Sequence, residues 1–361
     1  MRTPENILDV LFLTPSGETL PSVRFRVLPF VEAARAAARE TDMAPALAPA
    51  LAPALAVDWL RAPKAIHKRL LFLLTLPRAR VIVIQQKLFA PFELGLIRRR
   101  CQRLVYDVDD ALWALHPAEI GQPGMAEKSA KIARRFAETC ARVDLVIAGN
   151  SYLAERAAEH QPNIFILPTL IDTRKYTPAP PDAANVPPFR VGWMGTSGNL
   201  WFLPEVLREL APHQECLDIR VVADKPYQGE LEELVRFERW SPTLEPDQLR
   251  GFQCGLMPLT DDEYTRGKCG FKILQYMASG VVPIASAVGF NREIIHHGMD
   301  GFLVRQPGDW AKYILRLASD QDLLERMAWA ARQTAEQRFS LAAQTPNLWA
   351  ALGVGQEKKQ E

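Results

Sequence analysis

Three cations stand just ahead of an apolar segment in TRGKCGFKILQYMASGVVPIAS, residues 265–286: Arg266, Lys268 and Lys272. Lys268 and Lys272 are four residues apart, so a helix already begun at Lys268 would present both on one face at its start. A helix N-terminus carries partial positive charge of its own, and cations gathered there are unfavourable unless an anion lies between them. A second stretch, RVGWMGTSGNLWFL at 190–203, reads as a strand, a Gly-Thr-Ser-Gly turn and a helix. Glycines in such a turn let the backbone approach a ligand, and the helix behind it offers N–H groups to a phosphate. Each feature alone has a plain explanation, since such turns often hold glycine for geometry and a Lys at a helix start usually faces water. Brought together at strand ends of one sheet, they describe a diphosphate site. The loop Gly195, Thr196 and Ser197 would supply backbone donors, and Arg266, Lys268 and Lys272 point charges. Gly192, Gly195 and Gly198 do not follow Gly-x-Gly-x-x-Gly, and no Gly-Lys-Ser/Thr is present, so neither a dinucleotide fingerprint nor a Walker loop is indicated.

The elements that must position these residues are apolar runs closed by turn residues, alternating with segments of helical composition. They include ILDVLFLTP (7–15), RVIVIQQ (80–86), RLVYDVDD (103–110), VDLVIAGN (143–150) and IFILP (164–168). A Pro-rich segment, TPAPPDAANVPP at 177–188, interrupts them and reads as a linker. The pattern then restarts with FRVGWMG (189–195), IRVVAD (219–224), CGLMPL (254–259) and VVPIAS (281–286). Such alternation implies βαβ units and parallel sheets. The chain of 361 residues is long enough for two cores. The expected fold is α/β with two Rossmann-like domains facing each other across a cleft, 1–177 and 178–339. A last helix, 340–355, would pack back on the first domain.

Composition narrows the partners. The formal net charge is +1, which gives no bulk attraction for nucleic acid. The cysteines are odd in number, five, with no Cys-x-x-Cys and no nearby His set, which argues for reduced thiols in a cytoplasm and against zinc or a disulfide framework. The apolar run at the N-terminus is too short for a signal peptide, and no uncharged run is long enough to cross a bilayer. APALAPALAPALA (44–56) is a tetrapeptide repeat that reads as an insertion in a surface loop. IHKRLLFLLTLPRAR (66–80) mixes basic and apolar residues. A helix of this kind can lie on anionic lipid, which is compatible with a peripheral position on the inner face of the plasma membrane. An ordinary packed helix with a solvated basic edge is the expectation that composition favours.

The segment 255–304, GLMPLTDDEYTRGKCGFKILQYMASGVVPIASAVGFNREIIHHGMDGFLV, resembles the donor-binding signature of family 4 retaining glycosyltransferases of the GT-B fold. DLVIAGNSYLAERA, ILPTLIDTRKYTP and VGWMGTSGNL resemble the same family in order. The resemblance implies transfer of a sugar from a nucleotide-diphosphate sugar to a hydroxyl of a glycan or lipid-linked acceptor, with no cofactor and no essential metal. By position it sets Gly195, Thr196, Ser197, Arg266, Lys268 and Lys272 about the diphosphate, and Gln275, Phe271 and Gly270 about the ribose and sugar. Many members carry a Glu pair eight residues apart; here the positions hold Gly267 and Gln275, and an amide cannot accept two charge-assisted bonds. Where members put a His near the reacting sugar, Asp109 and Asp110 stand, with His116 a few residues on. One carboxylate would hold a sugar hydroxyl or orient the acceptor, and the other would cap a helix begun by ALWAL. Arg24 and Arg26 follow the first strand's loop, and Arg24 is the one taken as a ligand. A nucleotide-sugar epimerase and a non-catalytic nucleotide-sugar-binding subunit remain as alternatives on the same fold.

Overall fold

A computed structural model describes residues 7–18, 20–43, 55–180 and 187–354. The tetrapeptide repeat lies outside the described residues except for Leu55 and Ala56, as do residues 181–186 of the Pro-rich segment. The chain divides into two compact units. The first runs to Thr169 and includes Gly267–Cys269 and the chain from Leu341, and the second holds Leu170–Arg266 and Gly270–Ser340.

The first unit is built on six parallel strands, β1 (Leu8–Thr14), β2 (Val57–Arg61), β3 (Ala79–Gln85), β4 (Cys101–Val108), β5 (Leu145–Ala148) and β6 (Ile164–Ile166), in the order β2-β1-β3-β4-β5-β6. The central strands read as unbroken Val, Ile and Leu because helices cover both faces of a parallel sheet. Their core includes Leu11, Ile82, Tyr106 and Val146, with Phe136 and Leu153 from the covering helices. Strand order turns between β1 and β3, so the loops leaving those strands and the adjoining β4 diverge at their carboxyl ends. Those loops bring Arg24, Gln86 and Asp109 to one end of the sheet.

The second unit has strands β7 (Phe189–Met194), β8 (Leu217–Ala223), β9 (Val235–Arg239), β10 (Cys254–Met257), β11 (Val282–Ser286) and β12 (Phe302–Val304), all parallel, in the order β12-β11-β10-β7-β8-β9. This is the doubly wound order, with its turning point between β7 and β10. Trp193, Ile219, Leu256 and Ile284 fill the core together with Trp310 and Ile314 of the helix Asp309–Ser319.

Two expectations change on the structure. ALWAL forms a turn rather than a helix, with Leu112 N–H on the Asp110 carbonyl at 2.9 Å and Ala114 N–H on that of Ala111 at 2.9 Å. The helix Ile66–Leu74 is not an ordinary packed helix, since Leu73 is its only fully buried residue. Among the described residues no helix is long and apolar enough to cross a membrane.

Candidate functional site

In the second unit, β7 and β10 pair only at Cys254↔Val191 and Gly255↔Gly192, and both glycines are there for room. A Cβ on Gly255 would lie 2.5 Å from the Tyr276 ring, and one on Gly192 would lie 2.0 Å from the Phe252 ring. Tyr276 can therefore press against β10, where its hydroxyl donates to the Leu256 carbonyl (3.2 Å) and accepts from the Met194 N–H (3.1 Å). One side chain of the helix Phe271–Ala278 thus ties β7 to β10 at the turning point of the sheet. Lys272 stands one turn ahead of Tyr276, on the same helix face. Its ammonium lies over the Trp193 indole, 4.1 Å from the ring centroid, a cation–π arrangement. A Cβ on Gly195 would come within 2.8 Å of Lys272 Nζ and 2.8 Å of the Trp193 ring. Gly195, Trp193 and Lys272 form one constellation in which the glycine leaves space for the cation.

The remaining residues of the expected diphosphate set divide differently. The helix begins at Phe271, which is half-buried, and Gly270 caps it in the left-handed region at φ +62°, with Ile294 Cδ1 2.2 Å from where a Cβ would stand. Backbone geometry accounts for Gly270 without a ligand. Lys268 precedes the helix and so does not share a face with Lys272; it belongs to the first unit. Arg266 closes the short helix Glu263–Arg266 and meets Asp261 at 2.7 Å, both side chains half exposed. Such a half-exposed pair contributes about 0–1 kcal/mol.

In the loop Gly195–Ser197, expected to face the diphosphate, several donors already have partners within the unit. The Ser197 N–H donates to Asp224 Oδ1 at 2.6 Å and its hydroxyl to Oδ2 at 3.0 Å, while the Gly195 N–H is taken by the Val222 carbonyl at 3.0 Å. These bonds hold the Asp224 carboxyl below the usual carboxylate range. The Thr196 hydroxyl accepts from Asn199 Nδ2 at 2.9 Å, and the segment Ser197–Phe202 is a 3-10 helix, with α-helix only from Leu203. In this state, the side-chain cations rather than Ser197 are what the unit presents to an anion.

Gln275 departs from expectation. It is 3 % exposed, and its Nε2 donates to Glu245 Oε1 at 3.1 Å. Glu245 also accepts from Trp240 Nε1 at 2.7 Å and from the Tyr176 hydroxyl. A buried carboxylate demands donors, and Gln275 is among those supplying them. Its amide group is committed to the interior rather than to a ribose.

In the first unit, Arg26 grips Asp107 through Nε to Oδ2 (3.1 Å) and Nη2 to Oδ1 (2.5 Å), and donates from Nη1 to the Leu167 carbonyl (2.8 Å). Both side chains are buried. The segment Pro21–Arg26 is helical, so Arg24 and Arg26 are not on alternating faces of a strand; Arg24 remains half-buried, stacked 4.8 Å from the Phe25 centroid. Asp109, half-buried beyond β4, receives the amides of Gln85 (3.1 Å) and Gln86 (2.6 Å) on one oxygen, Oδ1. Neighbours in a strand point to opposite faces, and Gln86 escapes that rule by adopting φ +55°, a conformation that costs on the order of 1–3 kcal/mol. Burial pushes the Asp109 carboxyl up to about 6, the Arg26 guanidinium opposes it, and the Asp107 charge adds to it.

Asp110 receives the Ala111 N–H on Oδ1 at 3.0 Å, and burial raises its carboxyl against the pull of Lys268. It caps no helix. His116 does cap one, the 3-10 turn Pro117–Glu119, with Nδ1 accepting from the Ala118 N–H at 3.1 Å. Gly267–Cys269 is held here by Asn150, whose Nδ2 donates to the Lys268 carbonyl (3.1 Å) while its Oδ1 caps the helix Ser151–Ala158. The Cys269 thiol donates to the Asp109 carbonyl at 3.2 Å, and a Cβ on Gly267 would lie 2.3 Å from that of Ala111. Asn150, Gln85, Gln86, Trp193, Tyr276 and Asp224 thus join the sites without having been singled out in the sequence. Only Asn150 carries a local signal, an N-cap residue directly after a strand and before a helix.

The two parallel sheets and their strand orders define a two-domain α/β protein of the GT-B class. Residues 189–320 match the family model described as Glycosyl transferases group 1. The chain is similar to Anabaena HepE in complex with UDP-glucose, at 17% identity over 96% of this chain and 99% of that one, with a TM-score of 0.68. It is also similar to sucrose-phosphate synthase from Thermosynechococcus elongatus, at 14% identity, 96% and 99% coverage and a TM-score of 0.67. A glycosyltransferase from Rickettsia africae matches at 13% identity, 97% and 100% coverage and a TM-score of 0.64. At these identities the likeness is one of fold. No curated protein sequence matches the chain.

Proposed function

We propose that the chain is a retaining glycosyltransferase that moves a hexose from a nucleotide-diphosphate sugar to a glycan or lipid-linked acceptor hydroxyl, in making a cell-surface polysaccharide or glycolipid. The observation that carries this reading is Lys272, held over Trp193 beside Gly195, inside the span that matches the group 1 model. The HepE complex with UDP-glucose supports a uridine diphosphate donor as the first choice to test.

As the glycosidic bond to the donor phosphate breaks, negative charge grows on the leaving diphosphate. Lys272 neutralises that charge, joined by Arg266 once it exchanges Asp261 for phosphate. The acceptor attacks from the face the leaving group departs, and a phosphate oxygen of that group takes the acceptor proton, so no protein nucleophile and no metal enters the proposal. Asp109 serves a sugar or acceptor hydroxyl: ionised it accepts a hydrogen bond, protonated it donates one. The reading places the protein in the cytoplasm.

The test is a thermal-shift screen of UDP, GDP, ADP, CMP and their sugar conjugates on the wild type and Lys272→Ala. A shift with one nucleotide diphosphate that is lost in the variant is expected. The nucleotide that binds is then assayed as its sugar conjugate with acceptor glycans, where Lys272→Ala should slow transfer by about 100-fold or more, the scale of one lost electrostatic donor. Absence of any shift would favour a subunit without catalytic activity, and near-normal transfer by the variant would remove Lys272 from the mechanism.

A further inference from the structure

The helix Ile66–Leu74 carries its apolar residues on the outside. Ile66 is 61% exposed, Leu70 41%, Leu71 65% and Leu74 51%, while Leu73 is buried. Ile66, Leu70 and Leu74 are spaced by four and share one stripe, with Leu71 beside it. A packed helix turns such a stripe inward, and among the described residues nothing of this unit covers it. On the next helix, Pro91–Arg98, Phe92 is 56% exposed. Arg69 joins the two helices by donating to Glu93 at 2.5 Å.

The charge along this stretch is predominantly positive. Residues 61–80 hold six cations and no acidic residue. Lys64 and Lys68 are exposed, and Arg100 donates to the Leu74 carbonyl at the end of the helix, next to the stripe. Lys87, beside Lys64 in space through its ammonium on the Pro63 carbonyl at 3.4 Å, is pulled below the usual lysine range by burial and by Arg69, with Glu93 opposing and Lys64 and Arg61 adding to it. Of the six cations, Arg69 is paired with Glu93, which is buried and also receives the Ala90 N–H, and Arg80 with Asp9 at 3.2 Å.

From this arrangement we infer that the 66–74 helix docks the first unit on an anionic phospholipid surface, with Ile66, Leu70, Leu71 and Leu74 entering the acyl boundary and Lys64, Lys68 and Arg100 meeting phosphate headgroups. An apolar stripe edged by cations matches the interface of such a bilayer, where burial of apolar area and attraction to anionic lipid act together. A second copy of the chain fits less well, because a two-fold contact through this stripe would set each copy's Lys64 and Lys68 against the other's. The docking does not depend on the catalytic reading, and UDP binding reports on that reading separately.

The experiment is flotation of the full chain with vesicles of phosphatidylglycerol and phosphatidylcholine in equal parts, against phosphatidylcholine alone, at low and high salt. The wild type should float with the anionic vesicles, less so at high salt, and not with phosphatidylcholine alone. The double variant Leu70→Glu/Leu71→Glu should lose about tenfold or more in binding. Lys64→Glu/Lys68→Glu should lose binding at low salt and flatten its salt dependence. The altered side chains are exposed, so melting temperature and the UDP shift should match the wild type, which separates lost docking from lost folding. Binding by Leu70→Glu/Leu71→Glu equal to wild type would overturn the inference. So would a wild type that ignores the anionic vesicles, whether it sediments as a monomer or as a dimer that Leu70→Glu/Leu71→Glu dissociates.

Discussion

Adding one methyl group at Gly195 tests whether Lys272 acts from its place over Trp193. The new Cβ would stand 2.7 Å from Lys272 Cε, 2.8 Å from Nζ and 2.8 Å from the Trp193 ring, where ordinary contact begins at 3.4 Å. The Trp193 ring is 1% exposed and cannot yield, so the lysine end, being flexible, moves by about 1 Å. For an ammonium about 4 Å from a phosphate charge at an effective dielectric of about 20, the attraction is roughly 4 kcal/mol, and at about 5 Å it is roughly 3.3 kcal/mol. The difference, about 0.8 kcal/mol, corresponds to about fourfold in affinity. Gly195→Ala should therefore weaken UDP binding about fourfold by titration calorimetry, and the contact with the unyielding Trp193 ring should lower the melting temperature as well. Lys272→Ala should weaken it far more, and in UDP affinity the double variant should behave as Lys272→Ala alone, because the methyl group acts on the ligand by moving the lysine. Additive losses in the double variant, or an unchanged Gly195→Ala beside a damaged Lys272→Ala, would refute the reasoning.

The raised Asp109 carboxyl predicts a rate of sugar transfer that rises through about pH 6 if the ionised form does the work, an inflection that Asp109→Asn should abolish. The folded protein holds this proton more tightly than the unfolded chain, so the stability Asp109 contributes is present below the ordinary carboxylate range and lost as pH rises through about 6. A melting-temperature series across that range, wild type against Asp109→Asn, reads it directly. Gln275→Glu replaces the amide donor to Glu245 with a second carboxylate; denaturant unfolding should show a loss of about 1–3 kcal/mol, and a gain in UDP affinity would reinstate a ribose role. Asp224→Ala removes the carboxylate that holds the Ser197 N–H and hydroxyl, so UDP should bind more tightly, and weaker binding would show that Asp224 supports the loop instead. Gly255→Ala drives a Cβ to 2.5 Å from the Tyr276 ring and should lower stability by about 1–3 kcal/mol through overpacking, measured without nucleotide.

The strands buried on both faces were legible because nothing in them needs to be polar: LFLT of β1 and VIVIQ of β3 carry their burial in their composition. The strands passed over are edge strands. β2, β9 and β12 lie at the margins of their sheets, where VDWLR and VRFER face water on one side and lose the continuous apolar run. The pairing of Lys272 with Gly195 was legible from the fixed place of each beside a strand end. The separation of Lys268 was not, because it depends on the left-handed Gly270 setting the first helical residue at 271. Nor could the partner of Gln275 be read, since Glu245 lies thirty residues away and long-range pairing of a buried carboxylate has no local pattern. The amide convergence on Asp109 depends on a left-handed Gln86, a conformation that glutamine rarely adopts and that composition does not announce.

The phase of one short helix decides which of its residues can serve a ligand. With the first residue fixed at Phe271, Lys272 and Tyr276 fall on the face toward β7 and β10, where the tyrosine hydroxyl locks the face in place and the lysine stands at the strand end. Gln275 lies about 100° round from Tyr276 and meets Glu245, while Ile273, Leu274 and Met277 are buried in the core. A helix begun at Lys268 would have paired the two lysines across one turn at its exposed start, with their repulsion unrelieved by any ring. Held as it is, Lys272 has its ammonium against the Trp193 face, 4.1 Å from the ring centroid, a cation–π contact. Gly195 leaves the room in which Lys272 stands over Trp193, so the place of the cation is set by the glycine, the ring and the phase of the helix together.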